Sequence, residues 1–251
     1  MQLFSILVLA VVQGLTEFLP VSSKTHLLFA QKLLGYEPDL GLTIVLHAGS
    51  LLAIFIYYWR PWIELLRTRR REMVLLVLAT LPAVVVALLF KPRLEALYES
   101  PRLGAALLFV TAGWLVLAER AGRARWGLLD APAWRPFMMG VAQAFALLPG
   151  ISRSGSTIGA GYLAGLRRPD AVRFSFFLGA VAIAGALVLQ ARDAMKTKVP
   201  VDPVTIGIGV AVTFVVSLAA IKAVEKLSAK NRFSWFALYC AVAGVVGLIV
   251  F

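Results

Sequence analysis

Gln13-Gly-Leu-Thr-Glu17-Phe-Leu-Pro20-Val-Ser22-Ser23-Lys24-Thr-His26 gathers a carboxylate, two adjacent hydroxyls, an ammonium and an imidazole between two oily segments. Ionisable groups at membrane depth cost about 2.5–3.5 kcal/mol each on insertion scales, so they are rare and usually functional. The surrounding chain puts this stretch at membrane depth. Of the 251 residues 60% are hydrophobic and 15% charged, far from the balance of a soluble domain. Gly41–Trp59, Met73–Phe90, Leu103–Ala118, Phe174–Ala191, Val204–Val224 and Phe233–Phe251 each approach the roughly 20 apolar residues that cross a bilayer core. These runs are continuous and not alternating, which argues against a β-barrel. The fold class expected is an all-α, polytopic membrane protein.

Met1–Val12 is apolar, yet no basic stretch precedes it and no A-x-A site follows. It is expected to remain in the mature protein and not to act as a signal peptide. Cys240 is the lone cysteine, so it forms no intrachain disulfide and reads as a packing residue. The formal charge of +12 is dispersed over short loops with no soluble domain to carry a groove. That places it beside anionic lipid head groups at the cytoplasmic face and speaks against nucleic acid.

Arg60–Glu72 is the most basic connection, with Arg60, Arg67, Arg69, Arg70 and Arg71. With that loop inside, alternation puts Lys91–Arg102 outside and Glu119–Pro136 inside. The next oily segment, Phe137–Gly165, is broken by Leu148-Pro149-Gly150-Ile-Ser152-Arg153-Ser154-Gly155-Ser156-Thr157. Pro and Gly stop a helix there, and the hydroxyls beyond can cap a new one. If the segment dips in and returns, the loops around Arg167–Arg173 and Lys222–Arg232 fall inside and Arg192–Pro203 outside. Inside loops then hold sixteen Lys and Arg against eight outside, with Arg153 left in the membrane. The positive-inside rule favours this re-entry.

The first 35 residues follow the same plan: an oily run, Pro20, a hydroxyl-rich break and Leu27–Leu34. Gln13 precedes Ser22 by nine residues, as Gln143 precedes Ser152, with a proline between in each case. The reading is one integral membrane domain, residues 1–251, of six full transmembrane helices plus two re-entrant helical hairpins. Its halves, about 1–130 and 131–251, each hold an odd number of spans and are therefore inverted repeats. Broken helices in such repeats place a polar site near the membrane middle.

Gln13 and Glu17 lie four apart and share a helix face. Through oxygen they can coordinate a hard divalent cation, or Glu17 alone can act as a base. A hydrogen bond to the other hairpin is an equal reading for Gln13. Ser22 and Ser23 follow the helix stop with His26 three residues on, an arrangement that activates a hydroxyl nucleophile or protonates a leaving oxygen. Plain N-capping is the alternative. The second break sets Ser152, Arg153, Ser154 and Thr157 at a helix start, where free amides and a forked guanidinium bind anions, phosphate above all. A counter-ion role toward Glu17 is compatible with that. His47 reads as a packing or hydrogen-bonding residue, and Lys24 as snorkelling outward, with help in binding phosphate the alternative. Trp59, Trp62, Trp126 and Trp134 fit an interfacial belt. There is no Walker-type loop or HExxH motif, so nucleotide hydrolysis and zincin chemistry have no support.

Gln13-Gly-Leu-Thr-Glu-Phe-Leu-Pro-Val-Ser-Ser-x-x-His26 and Pro149-Gly-Ile-Ser-Arg-Ser-Gly-Ser-Thr157 closely resemble the two signatures of the bacterial undecaprenyl-diphosphate phosphatases, the bacitracin-resistance family. The resemblance spans the whole chain. It implies an integral enzyme of the bacterial cytoplasmic (inner) membrane that removes the terminal phosphate of undecaprenyl diphosphate, regenerating the carrier for peptidoglycan synthesis. Gln13 and Glu17 match the family's (E/Q)xxxE pair, Ser23 and His26 its Ser and His, and Ser152, Arg153 and Thr157 its phosphate motif. The cofactor implied is a divalent cation, Mg²⁺ or Ca²⁺. The partners implied are the polyprenyl diphosphate and membrane lipid, with a homodimer left open. One departure is Thr25, preceded by Lys24, where the family usually has a small residue before the histidine.

On this reading Glu17, Ser23, His26 and Arg153 are the catalytic candidates. Ser22, Ser152, Arg153, Ser154 and Thr157 hold phosphate, and Gln13 and Glu17 hold metal. Whether Ser23, His26 or water attacks is open. A lipid or ion transporter or flippase is the rival class, since transporters share the inverted-repeat architecture.

Overall fold

The computed structural model describes residues 3–36, 40–194 and 203–251. Eleven helices cover them: α1 (Leu3–Thr16), α2 (Ser23–Leu33), α3 (Leu40–Tyr57), α4 (Trp59–Arg67), α5 (Arg70–Tyr98), α6 (Pro101–Ala121), α7 (Trp134–Phe145), α8 (Arg153–Leu163), α9 (Arg168–Ala194), α10 (Pro203–Ala229) and α11 (Ser234–Val250). The described residues contain no strand, only an isolated bridge between Trp126 and Leu166. The all-α, multi-pass expectation holds. Arg70–Tyr98, Pro101–Ala121, Arg168–Leu189 and Gly207–Ala229 are long and apolar enough to cross a membrane, and Leu3–Thr16, Leu46–Tyr57 and Ser234–Val250 are shorter apolar helices. Leu88, Leu89, Leu238 and Ile249 stand exposed, as side chains facing hydrocarbon do. Of the expected outer loop Arg192–Pro203, residues 195–202 lie outside the described residues.

The Arg60–Glu72 connection is not a simple loop. Most of it is α4, whose Trp59, Ile63 and Leu66 are exposed beside Arg60 and Arg67, the composition of a helix lying in the head-group plane. Beyond it Glu72 is buried, 3.4 Å from Arg69 Nη1 and 3.3 Å from Arg173 Nη2 on α9. A buried carboxylate needs such partners, and here they fasten α5 to α9.

Each expected break is real. After α1, Pro20 ends helical bonding and the chain turns through Ser22, whose φ of 70° is left-handed. A serine there costs roughly 1–2 kcal/mol. The Ser22 carbonyl takes His26 Nδ1 at 2.8 Å and its hydroxyl donates to Thr25 Oγ1 at 3.3 Å, which holds the turn. After α7, Pro149 and Gly150 (φ 79°) make the second break, and Ser152 caps α8 by accepting the Gly155 amide at 3.1 Å.

The two ends of each hairpin meet. Trp126 N donates to Gly165 O and Arg167 N to Trp126 O, at 2.9 and 2.8 Å, so the chain entering α7 is bonded to the chain leaving α8. Ser5, in the first turns of α1, donates to the Tyr36 hydroxyl beyond α2 at 3.3 Å.

Packing between helices is crossed. Helix α1 lies on α10, while α7 lies on α5; α3 meets α9, and α6 meets α11. A Cβ at Gly14 would come within 2.9 Å of the Thr213 carbonyl of α10, and one at Gly140 would overlap the Ala79 carbonyl of α5. Small residues of this kind let membrane helices approach backbone to backbone.

Candidate functional site

Gln13 sits in the last turn of α1 and is fully buried, and Glu17 follows one turn later, its amide still bonded to the Gln13 carbonyl at 3.0 Å. Three donors and the His47 ring close around the Glu17 carboxylate. Oε2 receives the Ser23 hydroxyl at 2.7 Å and Gln13 Nε2 at 3.0 Å, and faces His47 Nε2 at 3.5 Å. Oε1 receives Arg153 Nη2 at 2.7 Å. The two breaks, 136 residues apart in sequence, meet at one carboxylate. In low dielectric such a pair is worth having only when its remaining atoms are also bonded, and Glu17 meets that condition.

His47, read from sequence as a packing or hydrogen-bonding residue, is part of this cluster. Its Nδ1 bonds the Thr43 carbonyl at 2.8 Å, and Glu17 faces the other nitrogen. A histidine inside a span is expensive enough to be the signal that finds it. Gly179 on α9 carries no such signal: a Cβ there would overlap Arg153 Nη1, so the glycine is the cradle for the guanidinium. That Nη1 is buried with no hydrogen-bond partner among the described residues.

The other expected site residues divide. His26 does not meet the Ser23 hydroxyl, which goes to Glu17. Instead its ring stacks on Tyr239 of α11 with centroids 5.5 Å apart, and Nε2 is buried without a partner among the described residues. Thr157 is fully buried, its hydroxyl 2.6 Å from Ser175 Oγ of α9, and Ser154 donates to the Leu19 carbonyl at 3.1 Å. These two hydroxyls are engaged between hairpins and helices. Ser152 Oγ is engaged as the cap, and its amide donates to Thr111 Oγ1 of α6 at 3.1 Å. Of the four amides a helix start leaves without intrahelical partners, those of Ser152 and Gly155 are taken by Thr111 and the Ser152 hydroxyl.

A cavity of about 210 Å³ leads to this cluster, lined by Lys24 and Leu28 of α2, His47 of α3, Tyr98 at the end of α5 and Leu187 of α9. Lys24 does not simply snorkel: its Nζ donates to the Tyr98 hydroxyl at 2.7 Å and lies 4.2 Å from the ring centre. The cavity thus pairs an ammonium at its mouth with aliphatic walls, suited to a ligand with an anionic head and an apolar tail.

The sequence of this chain matches the family model described as bacitracin resistance protein BacA over residues 6–246. An undecaprenyl-diphosphatase of Rhodopirellula baltica is 41% identical to it, over 99% of this chain and 98% of the relative. Proteins of the same name from Geotalea daltonii and Methanobrevibacter smithii are 36% and 34% identical, over 94% and 98% of this chain and 94% and 96% of their own lengths.

Proposed function

The chain belongs to the bacitracin resistance protein family, and from that membership we propose that it is a membrane phosphatase converting undecaprenyl diphosphate to undecaprenyl phosphate and inorganic phosphate. The product returns to peptidoglycan synthesis, and the enzyme resides in the bacterial cytoplasmic membrane. The observation that carries the reading is the Ser23–Glu17–Arg153 constellation: a hydroxyl bonded to a carboxylate, which is paired with a guanidinium that has a nitrogen to spare.

Arg153 and the first amides of α8 hold the terminal phosphate. Ser23 Oγ attacks its phosphorus, the bond to the bridging oxygen breaks, and undecaprenyl phosphate leaves as an anion needing no proton. The hydroxyl proton passes to Glu17. Water then attacks the phosphoserine, releasing phosphate and restoring the Ser23 hydroxyl. A loose phosphoryl-transfer transition state asks little of the base. Alignment and charge neutralisation supply most of the acceleration.

A second reading makes His26 the nucleophile. Its Nδ1–H is donated to the Ser22 carbonyl, which leaves a lone pair on the unpartnered Nε2. Trapping with ³²P-labelled substrate separates the two, since phosphoserine survives acid and phosphohistidine does not.

The topology proposed is six spans, with α3 and α11 joining the four long helices, and two re-entrant hairpins. Supporting re-entry are the bonded ends of both hairpins. Supporting an inverted repeat is the crossed packing, in which α3–α9 and α6–α11 pair equivalent spans while α1–α10 mirrors α7–α5. The repeat is chemically one-sided. Gln13 has Glu17 after it, whereas Gln143 is followed by Leu147 and is buried with both amide atoms unpartnered among the described residues.

Purified protein in detergent has no two sides, so phosphate release from undecaprenyl diphosphate distinguishes an enzyme from a transporter. Release dependent on Ser23 and Arg153 is expected. None with Mg²⁺ or Ca²⁺ present would leave the transporter reading standing.

A further inference from the structure

Lys24 stands one residue after the proposed nucleophile, yet the proposed reaction leaves it without a task. The Ser23 hydroxyl goes to Glu17, while Lys24 Nζ goes to Tyr98, the last residue of α5. It donates to the Tyr98 hydroxyl at 2.7 Å and lies 4.2 Å from the ring centre. The Tyr98 hydroxyl in turn donates to the Leu147 carbonyl, just before the second break. That bond fixes the ring, and the ring fixes the ammonium. A lysine that merely snorkels keeps its head free in water; this one is tethered across the mouth of the cavity.

An ammonium has three N–H donors. Tyr98 accepts one, and among the described residues no carboxylate pairs with Lys24. Lys24 and Tyr98 line the same cavity of about 210 Å³ as His47, whose Nε2 lies 3.5 Å from the Glu17 carboxylate. Leu27, one helical turn after Ser23, is in the same wall, with Leu28 and Leu187 beyond it. A diphosphate whose terminal phosphate meets Ser23 and Arg153 has its second phosphate in this space and its hydrocarbon against the aliphatic wall. Among the residues lining the cavity, Lys24 is the only lysine or arginine.

We infer that Lys24, held by Tyr98, binds the lipid-bearing phosphate of the substrate and stabilises the charge it gains on departure. The inference rests on the phosphatase reading. As Ser23 Oγ bonds to the terminal phosphorus, the bond from that phosphorus to the bridging oxygen breaks, and its electron pair stays on the bridging oxygen. The lipid-bearing phosphate thereby goes from one negative charge to two. An ammonium already beside it is attracted more strongly as the reaction proceeds, and such contacts lower the barrier. The leaving group then needs no proton. The same contact selects a diphosphate over a simple phosphate ester, which places no anion beside Lys24. It also holds the product, since undecaprenyl phosphate keeps the phosphate assigned to Lys24 and has lost the one assigned to Arg153.

The test is phosphate release by purified Lys24→Met in detergent, together with competitive inhibition by undecaprenyl phosphate. Methionine keeps an apolar stem of similar length without the charge. kcat/KM for undecaprenyl diphosphate should fall by about tenfold or more, the loss of one charge-assisted contact to phosphate. The inhibition constant of undecaprenyl phosphate should rise by about the same tenfold. Lys24→Arg, which restores a cation, should recover most of both. Wild-type kcat/KM in Lys24→Met overturns the inference. So does a fall in kcat/KM with unchanged inhibition by undecaprenyl phosphate, the pattern of a merely structural role, and so does Lys24→Arg behaving as Lys24→Met. Wild type that undecaprenyl phosphate fails to inhibit overturns it as well. Each of these results leaves the phosphatase reading intact, whereas wild type releasing no phosphate overturns that reading and the inference with it.

Discussion

The hydroxyl of Thr25 accepts the amide of Gly150 at 2.7 Å, which ties the first break of the chain directly to the second. Thr25 is fully buried, and its methyl group fills the space a Cβ at Gly104 would enter. This residue is thus a strap between the hairpins. Thr111 works from the other side, donating to the Gly150 carbonyl at 2.8 Å while accepting the Ser152 amide.

Thr25→Val keeps the shape but leaves the Gly150 amide buried without an acceptor, at about 1–3 kcal/mol. We expect kcat to fall by about tenfold or more while Thr25→Ser stays within about threefold of wild type, because the strain falls on Arg153 positioning. Steady-state phosphate release by both variants, with KM measured separately, checks this.

Ser23→Ala removes the proposed nucleophile and should lower kcat by at least about 10³-fold, with loss of the acid-stable ³²P adduct. A variant that still traps phosphate on serine would place the attack elsewhere.

Gly179→Ala drives a methyl group into Arg153 Nη1. Displacing a phosphate-binding group by about 1 Å can cost about 10²-fold in rate, and that is the loss expected in kcat/KM. Gly185, also on α9, borders open space, with no atom within 4 Å of where a methyl group would stand, so Gly185→Ala should be neutral. Phosphate release from the two variants side by side separates a site effect from a helix effect.

Gly140→Ala forces α7 away from the Ala79 carbonyl of α5. Overpacking of this sort costs about 1–3 kcal/mol, which should appear as a lower melting temperature in detergent. Activity per folded molecule should fall less than in Gly179→Ala.

The sequence announced the parts of this fold whose physics is local. Pro20, Pro149 and Gly150 end helices wherever they stand, and long apolar runs form helices in lipid whatever they touch. Glu17 and Arg153 were legible because an ionised group in hydrocarbon needs a partner, and each is the other's. What local chemistry could not reveal was the use of each hydroxyl. Thr157 and Ser154 carry the residue types of an anion site, but Ser175 and the Leu19 carbonyl claim them, and those partners are set by helix packing. His47 was passed over for the same reason: its neighbours in sequence are Ala48 and Gly49, while its neighbour in space is Glu17. Gly179 gave no sign at all, since a glycine that yields room to a guanidinium looks like any glycine in a membrane helix.

The crossed packing fixes when the site can exist during synthesis. Gln13 and Gly14 are made long before α10, yet α1 rests on that helix, Ser50 beside Gln13 is bonded to Ser217 at 3.2 Å, and the Pro20 carbonyl waits for the Cys240 thiol. A nascent chain therefore carries its reactive serine and carboxylate through most of translation without a finished enclosure. The enclosure closes only when α10 and α11 have entered the bilayer, so a product stalled before α10 is expected to be inert toward the lipid pool around it.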